Sequence, residues 1–221
     1  MNTDLTPEDY KNIAAQLRKP YGEYAVEIGE RMNAGNLPMN LHTLAVLNPT
    51  RNDSILEIGM GNGHFVKNIL NMDTSIQYTG CDYSEVMVQE SEKRNINYVN
   101  QNRARFVQGN VQELPFEDNS FSKIFTINTF YFWDEYGQAI NEIKRVLRPK
   151  RTLVLSVRPK HNLGKFPVTK YGFSIYSQEE IIAMITKEGL RFKEVTQIKE
   201  PSQEHMDFMF ERECLILTFE K

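Results

Sequence analysis

The strongest constraint on the fold of this chain is a glycine-rich turn that follows a short apolar segment. Ser54–Ile58 has the pattern of a buried strand, glycine then occupies positions 59, 61 and 63, and a helix begins near His64. Glycine permits positive φ angles and lets a ligand approach the main chain. The start of the following helix directs free N–H groups at whatever lies in front of it. This order predicts a ligand-binding loop at the carboxyl end of a strand.

Two other interpretations of this loop are less favoured. A plain turn between a strand and a helix does not require three alternating glycines. A dinucleotide-binding loop has the spacing GxGxxG, which would place glycine at position 64, where this chain has His64. The spacing here is GxGxG, so binding of a pyrophosphate, and with it a nicotinamide-dependent oxidoreductase, is disfavoured.

The rest of the chain alternates between strand patterns and helix patterns. Residues 76–82, 104–108, 122–128 and 152–157 are further strand candidates, and the segments between them mostly have helical spacing, at about 64–71, 84–95 and 134–147. This alternation predicts a mostly parallel sheet with helices on both faces. At the end, a helix over 178–187 is followed by strands over 191–199 and 213–220, and the short loop between them predicts an antiparallel final pair.

The N-terminal 50 residues have helical character. Thr6 and Pro7 are typical of an N-cap and a first helical residue. A second helix is predicted over about 22–34, ending near Gly35, and a third from about Pro38 to the residues before Pro49. We interpret residues 1–50 as a helical cap that belongs to the same domain as residues 51–221.

An acidic residue ends the second strand candidate. Asp82 should lie at the carboxyl edge of the sheet, beside the strand that carries Glu57. A carboxylate at this position can accept hydrogen bonds from both hydroxyls of a ribose. Asp82 could instead cap the helix that begins near Glu85. The glycine loop upstream favours the ribose role.

With these features in place, residues 54–157 resemble the class I methyltransferases that depend on S-adenosylmethionine, in the group that includes the ubiquinone/menaquinone biosynthesis methyltransferases. Four segments in the right order carry the resemblance: LEIGMGNGHF (56–65), GCDYSEVMV (80–88), RFVQGNVQELPFEDNSFSKIFTINTFYFW (105–133) and EIKRVLRPKRTLVLS (142–156).

The resemblance implies a Rossmann-like α/β fold of seven strands and S-adenosylmethionine as the cofactor. It also implies a role for each matched position. The residues that would line the methionine and ribose end of the cofactor are Glu57, Gly59, Gly61 and Gly63, and Asp82 would hold the ribose. Tyr83 and Met87 would flank the adenine, and Asn110 and Val111 would face its edge. Asn128 would begin the loop beneath the sulfonium.

The chain departs from the family pattern at two places. Relatives commonly have Asp where this chain has Asn110, and a neutral amide accepts a weaker hydrogen bond than a carboxylate. The histidine-rich loop that usually follows strand four is replaced by Asn128–Trp133. The aromatic residues of this segment either pack internally or form a wall for the substrate.

Composition narrows the setting and the partners. The net charge is −3, so the chain lacks the broad basic face of most nucleic-acid-binding proteins, and a nucleic-acid substrate is disfavoured.

The two cysteines, Cys81 and Cys214, are isolated, which argues against disulfides and a structural zinc site and favours a cytoplasmic setting. We expect no metal site and no membrane segment, because metal-ligand spacing, a signal peptide and a long apolar run are all lacking. The oligomeric state is left open.

Methyl transfer itself places few demands on the sequence. The reaction is an in-line displacement that releases a neutral thioether, so positioning can supply most of the rate, and a general base is needed only for an acceptor that must lose a proton. Weak candidates for such a base are His42, His64, His161, Tyr131 and Asp134.

The sequence predicts a methyltransferase that acts on oxygen, nitrogen or carbon of a small-molecule acceptor. Residues 158–170 contain four basic residues and no acidic one, so this segment is either a solvated loop or a lid that favours an anionic acceptor. The alternative is a catalytically inactive binding module with the same fold. The complete set of glycines with Asp82 argues against that alternative.

Overall fold

The computed structural model describes residues 5–205 and 208–221. Within them, seven strands form one sheet in the order β3-β2-β1-β4-β5-β7-β6. Their bounds are β1 Ser54–Ile58, β2 Gln77–Asp82, β3 Ala104–Gln108, β4 Phe121–Ile127, β5 Leu147–Val157, β6 Arg191–His205 and β7 Phe208–Glu220. The pairs among β1 to β5 are parallel, whereas β7 runs antiparallel to both β5 and β6. The predicted mostly parallel sheet with an antiparallel final pair is confirmed.

This strand order decides where a ligand can bind. The chain starts in the middle of the sheet with β1, moves outward to β3, and then returns to the other side of β1 with β4. The direction of winding therefore reverses between β1 and β4. In open α/β sheets, a crevice forms at such a point, just outside the carboxyl ends of the strands.

Eight α-helices surround the sheet in the described part of the chain. They are α1 Pro7–Arg18, α2 Ala25–Leu47, α3 Val66–Leu70, α4 Glu85–Arg94, α5 Ile96–Asn100, α6 Tyr136–Val146, α7 Lys160–Leu163 and α8 Gln178–Lys187. One buried apolar cluster contains α6, α8 and one face of the sheet, and a second contains α2, α3 and the other face. In α6, Ala139, Ile140, Ile143 and Val146 all point inward, as their helical spacing predicts.

The N-terminal segment differs from the prediction in one respect. Thr6 does cap α1, with a reciprocal capping box to Asp9. The predicted break between a second helix and a third helix is wrong, because α2 continues through Pro38. Proline costs a helix one hydrogen bond and crowds the preceding turn. In the preceding turn the Arg212 guanidinium of β7 donates to the carbonyl of Gly35, which ties this part of α2 to the sheet.

Other boundaries shift without changing the topology. Strand β5 begins at Leu147 rather than near 152. Strands β6 and β7 run to His205 and from Phe208, well past their predicted ends. Most of the segment predicted as a loop between them is therefore strand, and positions 206 and 207 lie outside the described residues. Main-chain pairing between the two strands extends the ladder beyond the alternating apolar pattern that marked them in the sequence.

We expect Ile143→Ala to lower the free energy of unfolding by about 2–5 kcal/mol, because Ile143 is fully buried and the substitution leaves a cavity. The same substitution at Ile96, which is 45% exposed, is the control and should cost less than about 1 kcal/mol. Urea unfolding followed by circular dichroism measures both values. Equal losses at the two positions would show that α6 does not anchor the core.

Candidate cofactor and acceptor site

The glycine loop lies at the crevice where the winding of the sheet reverses. Gly59, Gly61 and Gly63 all have positive φ, at 75°, 59° and 67°. The N–H of Gly59 donates to the carbonyl of Cys81 at 2.7 Å, which fixes the end of β1 against the end of β2. A Cβ atom at Gly59 would lie 2.3 Å from Cγ2 of Thr129, so only glycine fits there.

The other two glycines have different surroundings. A Cβ at Gly61 would meet nothing within 4 Å, because Gly61 faces the open pocket. A Cβ at Gly63 would meet the Asn95 amide at 2.8 Å and the Ser91 hydroxyl at 2.9 Å. Gly63 is thus absent from the pocket lining and lies behind the loop, where it permits close packing against α4. Of the three loop glycines, Gly59 and Gly61 line the pocket and Gly63 packs against Ser91 and Asn95.

Asp82 joins the glycine loop to the start of α4. One carboxylate oxygen accepts from the N–H of Gly61 at 2.9 Å, and the other accepts from the N–H of Ser84 at 2.8 Å. Ser84, not Asp82, is the N-cap of α4, since its hydroxyl accepts from the N–H of Met87. A carboxylate has about four acceptor positions, so each oxygen keeps one for a ligand. Asp82 is 9% exposed and lines the pocket.

Glu57 is the second buried carboxyl group at this edge. Its Oε2 accepts from the hydroxyl of Tyr78 at 2.6 Å. Burial raises the pKa of Glu57 to about 7, the Tyr78 hydrogen bond opposes that shift, and the charge of Asp82 adds to it. Burial likewise raises the pKa of Asp82 to about 6, and the hydrogen bonds from the backbone N–H groups of Ser84 and Gly61 oppose that shift. Two carboxyl groups at adjacent strand ends thus make this part of the pocket acidic.

The residues predicted to surround an adenine line the same pocket. Tyr83, Met87, Asn110 and Val111 all contribute to its wall. Lys19 of the cap lies 4.0 Å from the centre of the Tyr83 ring, whereas Met87 is fully buried. The side-chain oxygen of Asn110 already accepts from the N–H of Gln112 at 3.1 Å, which leaves one acceptor position for a ligand.

The loop after β4 forms the opposite side of the pocket. Asn128 has a φ of 57°, and its side-chain amide donates to the side-chain oxygen of Asn36 in α2 at 2.9 Å. The Tyr131 hydroxyl donates to Oδ1 of Asn128 at 2.9 Å. All four aromatic residues of this loop belong to the core cluster or pack against it, and two of them, Phe132 and Trp133, also line the pocket. The segment therefore packs internally and also contributes to the pocket wall.

The cap covers the pocket and supplies residues that sequence reasoning missed. Six of its side chains reach the lining: Leu17, Arg18, Pro20, Met32, Asn36 and Asn40. Arg18 forms an ion pair with Asp134 from the loop after β4, which ties the cap to the rim of the pocket. Asn36 and Asn40 have the i, i+4 spacing of residues on one helix face. This pair was not identified from the sequence, because the helix was predicted to end near Gly35.

Most of the base candidates lie elsewhere. His42, His64, His161 and Tyr131 are not among the pocket-lining residues, whereas Asp134 is. Burial and the neighbouring Arg94 lower the pKa of His64. Of the candidates, Asp134 alone reaches the pocket, and it is paired with Arg18.

The basic segment after β5 has partners of its own. Arg158 forms an ion pair with the fully buried carboxylate of Glu200 at 2.7 Å. Lys160 lies 3.4 Å from Glu180 at the start of α8. Arg158 and Lys160 are thus paired with carboxylates of the protein itself.

The described helices include none that is both long and apolar enough to cross a bilayer.

The point where the winding reverses, the glycine loop and the Asp82 carboxylate on the next strand thus meet at one pocket. Residues 56–155 match the family described as "Methyltransferase domain". Over these residues the chain is a methyltransferase domain of the class I, S-adenosylmethionine-dependent kind, and S-adenosylmethionine is its cofactor.

Individual relatives agree with this assignment. The chain is 29% identical over 132 residues to the uncharacterized methyltransferase YdaC of Bacillus subtilis, covering 60% of this chain and 71% of that protein. It is 28% identical over 171 residues to the ubiquinone/menaquinone biosynthesis C-methyltransferase UbiE of Hahella chejuensis, covering 74% and 67%. An S-adenosylmethionine-dependent methyltransferase structure from Aquifex aeolicus superimposes with a TM-score of 0.66, at 18% identity and 98% coverage of both chains. At 18% identity, this structural similarity shows a shared fold.

We predict different outcomes for alanine at Gly59 and at Gly61. Gly59→Ala should lower the free energy of unfolding by about 3 kcal/mol or more, because the new methyl group collides with Thr129 and φ is positive. Gly61→Ala should cost only the strain of about 1–2 kcal/mol, but should abolish cofactor binding because its methyl group enters the pocket. Thermal unfolding and calorimetric titration with S-adenosylmethionine measure the two effects. Thr129→Ser removes the colliding methyl group, so it should partly restore the stability of Gly59→Ala; no restoration would contradict the steric explanation.

The raised pKa of Glu57 predicts that the protein without cofactor becomes less stable as the pH rises from about 4.5 to about 7. In that range the folded state holds a proton that the unfolded state has lost, so raising the pH favours unfolding. Glu57→Gln should flatten this dependence and unfold at higher urea than the native protein at pH 8. Parallel stability–pH curves for the two proteins would contradict the assignment.

Proposed function

We propose that this protein transfers the methyl group of S-adenosylmethionine to an oxygen, nitrogen or carbon atom of a small-molecule acceptor by in-line displacement. The observation that carries the proposal is the Asp82 carboxylate, which is fixed by two backbone N–H groups and has unused acceptor positions facing the pocket. A rigid, partly desolvated carboxylate is a strong acceptor for a pair of ribose hydroxyls.

The cofactor supplies an electrophilic methyl group on a sulfonium whose leaving group is a neutral thioether. The residues of this chain would hold and shield it. Asp82 would bind the ribose, Gly59 and Gly61 would admit the methionine end with Glu57 nearby, and Tyr83, Met87, Asn110 and Val111 would enclose the adenine. Asn128 and the cap would close the side on which the acceptor lies. Water is thereby excluded while donor and acceptor are held in line.

The proposal assigns no general base. The histidines named as candidates lie away from the pocket lining, and Asp134 is paired with Arg18. This arrangement favours acceptors whose reactive atom is nucleophilic without prior loss of a proton. We do not extend the proposal to an anionic acceptor, since Arg158 and Lys160 of the basic segment are engaged by Glu200 and Glu180.

A cytoplasmic location and the division into a cap (1–50) and a methyltransferase domain (51–221) are parts of the same proposal. The first is supported by two buried free thiols, Cys81 and Cys214. The second is supported by α1 and α2, which lie over the pocket and contribute to its lining.

Asp82→Asn should weaken the binding of S-adenosylmethionine about 100-fold, which corresponds to the loss of two hydrogen bonds to a charged acceptor. The control is Asp118→Asn, because Asp118 is exposed in an ion pair with Arg145 and lies outside the pocket. Calorimetric titration gives both dissociation constants, and thermal unfolding without ligand shows whether either variant is misfolded. Native-like binding by a folded Asp82→Asn protein would contradict the ribose role, and no binding by the native protein would contradict the proposed function.

A further inference from the structure

Three asparagines lie together on one side of the pocket, and we call Asn36, Asn40 and Asn128 the asparagine patch. Asn36 is bonded to Asn128 at the end of β4. One turn beyond Asn36, Asn40 follows on the same face of α2. The next turn of α2 is fixed over β5, because the hydroxyls of Thr43 and Ser156 lie 2.7 Å apart.

The strand order separates this patch from the cofactor carboxylates. Glu57 and Asp82 belong to β1 and β2, whereas the patch lies over the ends of β4 and β5 on the other side of β1. A cofactor that binds Asp82 with its ribose and places its methionine end beside Gly59 and Gly61 would direct its sulfonium toward the β4 side of β1. An acceptor in line with that sulfonium has to lie beyond it, on the side of the pocket where the patch is.

The patch has unused hydrogen-bonding capacity. Asn40 is only 5% exposed, and its amide donates to the carbonyl of Asn36 at 3.0 Å, yet its Oδ1 accepts from no group among the described residues. Asn36 uses its Oδ1 to accept from Asn128, whereas its own NH₂ donates to no group among those residues. Asn36 is half-buried, and neither of these two atoms is among the fully enclosed polar atoms that lack a partner, so both are open to the pocket that the residues line. One donor and one acceptor are thus available to a ligand in the wall of the pocket.

The same side of the pocket offers no unpaired charge within the described structure. Arg18 and Asp134 neutralise each other at the rim. Apolar surface comes from Leu17, Met32, Phe132 and Trp133. An anion or a cation buried here would lose its hydration without gaining a counter-charge, which is costly.

We propose that the asparagine patch binds the methyl acceptor and selects an uncharged molecule with a flat apolar body and an adjacent pair of hydrogen-bonding groups, one donating and one accepting. The inference rests on the proposed function and names the substrate class of that site. The acceptor group of the ligand would receive a hydrogen bond from the Asn36 amide, and its donor would face Oδ1 of Asn40. Phe132 and Trp133 would contact the flat body.

Three probes of similar size test this selection: benzamide, benzoate and benzylammonium. Benzamide carries the required donor and acceptor without charge, benzoate is its anionic counterpart, and benzylammonium is a cation. Trp133 is the single tryptophan of the chain and lines the pocket, so its fluorescence reports binding. Each probe is titrated into the protein saturated with S-adenosylhomocysteine, whose own affinity is measured first by calorimetry.

We expect benzamide to bind about ten-fold more tightly than either charged probe, because one additional hydrogen bond to the protein contributes about that much to affinity. Asn40→Leu should remove this preference and leave the affinity for S-adenosylhomocysteine unchanged. Asn33→Leu is the matched control on the same helix, because Asn33 lies outside the pocket lining and donates to Glu30; it should keep the preference.

Several results would overturn the inference. Benzoate or benzylammonium binding as tightly as benzamide would show that the pocket accepts charge, and this comparison needs no variant. No fluorescence response to any probe would show that the patch does not recognise such groups. A loss of S-adenosylhomocysteine affinity in Asn40→Leu would assign the asparagines to the cofactor. By contrast, failure of the native protein to bind S-adenosylhomocysteine would contradict the proposed function itself.

Discussion

The geometry of the site depends on the two hydrogen bonds that the Asp82 carboxylate accepts from backbone N–H groups. One comes from Gly61 in the loop after β1, and the other comes from Ser84 at the start of α4. Two loops that are separate in sequence are thereby held by one side chain. The loop glycines adopt positive φ angles at little steric cost, and in this conformation the N–H of Gly61 donates to Asp82. Burial of this carboxylate and of Glu57 costs stability, as their raised pKa values show, and a bound cofactor offers the hydroxyl donors that offset part of the cost.

The cap completes the site through a small number of polar contacts. Arg18 of α1 forms an ion pair with Asp134, and Asn36 of α2 accepts a hydrogen bond from Asn128. The second contact continues inward, because Asn128 accepts from Tyr131 and the Tyr131 hydroxyl accepts from the N–H of Arg158. Arg158 in turn pairs with buried Glu200 of β6. The acceptor side of the pocket is therefore positioned by the last strands of the sheet as well as by the cap.

Local patterns in the sequence were sufficient for the frame of the fold and for the centre of the site. The strand over 104–108 and the helix over 178–187 match to the residue, because period and capping signals are short-range. The meeting of Asp82 and Gly59 at one edge of the sheet was predictable, since Asp82 ends a buried strand and Gly59 directly follows its neighbour. The continuity of α2 through Pro38 was not predictable, because proline usually ends a helix and the contact of this segment with Arg212 is distant in sequence. For the same reason Asn36 and Asn40 were missed, and the pairing of Arg158 with Glu200 could not be foreseen. The regular spacing of the glycines gave no sign that Gly63 differs from Gly59 and Gly61. Its packing against Ser91 and Asn95, which are distant in sequence, makes that difference.

The most direct test of the account is a crystal structure of the protein with S-adenosylhomocysteine. The account predicts both ribose hydroxyls within hydrogen-bonding distance of the Asp82 carboxylate, the homocysteine end beside Gly59 and Gly61, and the sulfur directed toward the asparagine patch. A ligand whose ribose lies away from Asp82, or whose homocysteine end occupies the patch, would contradict it.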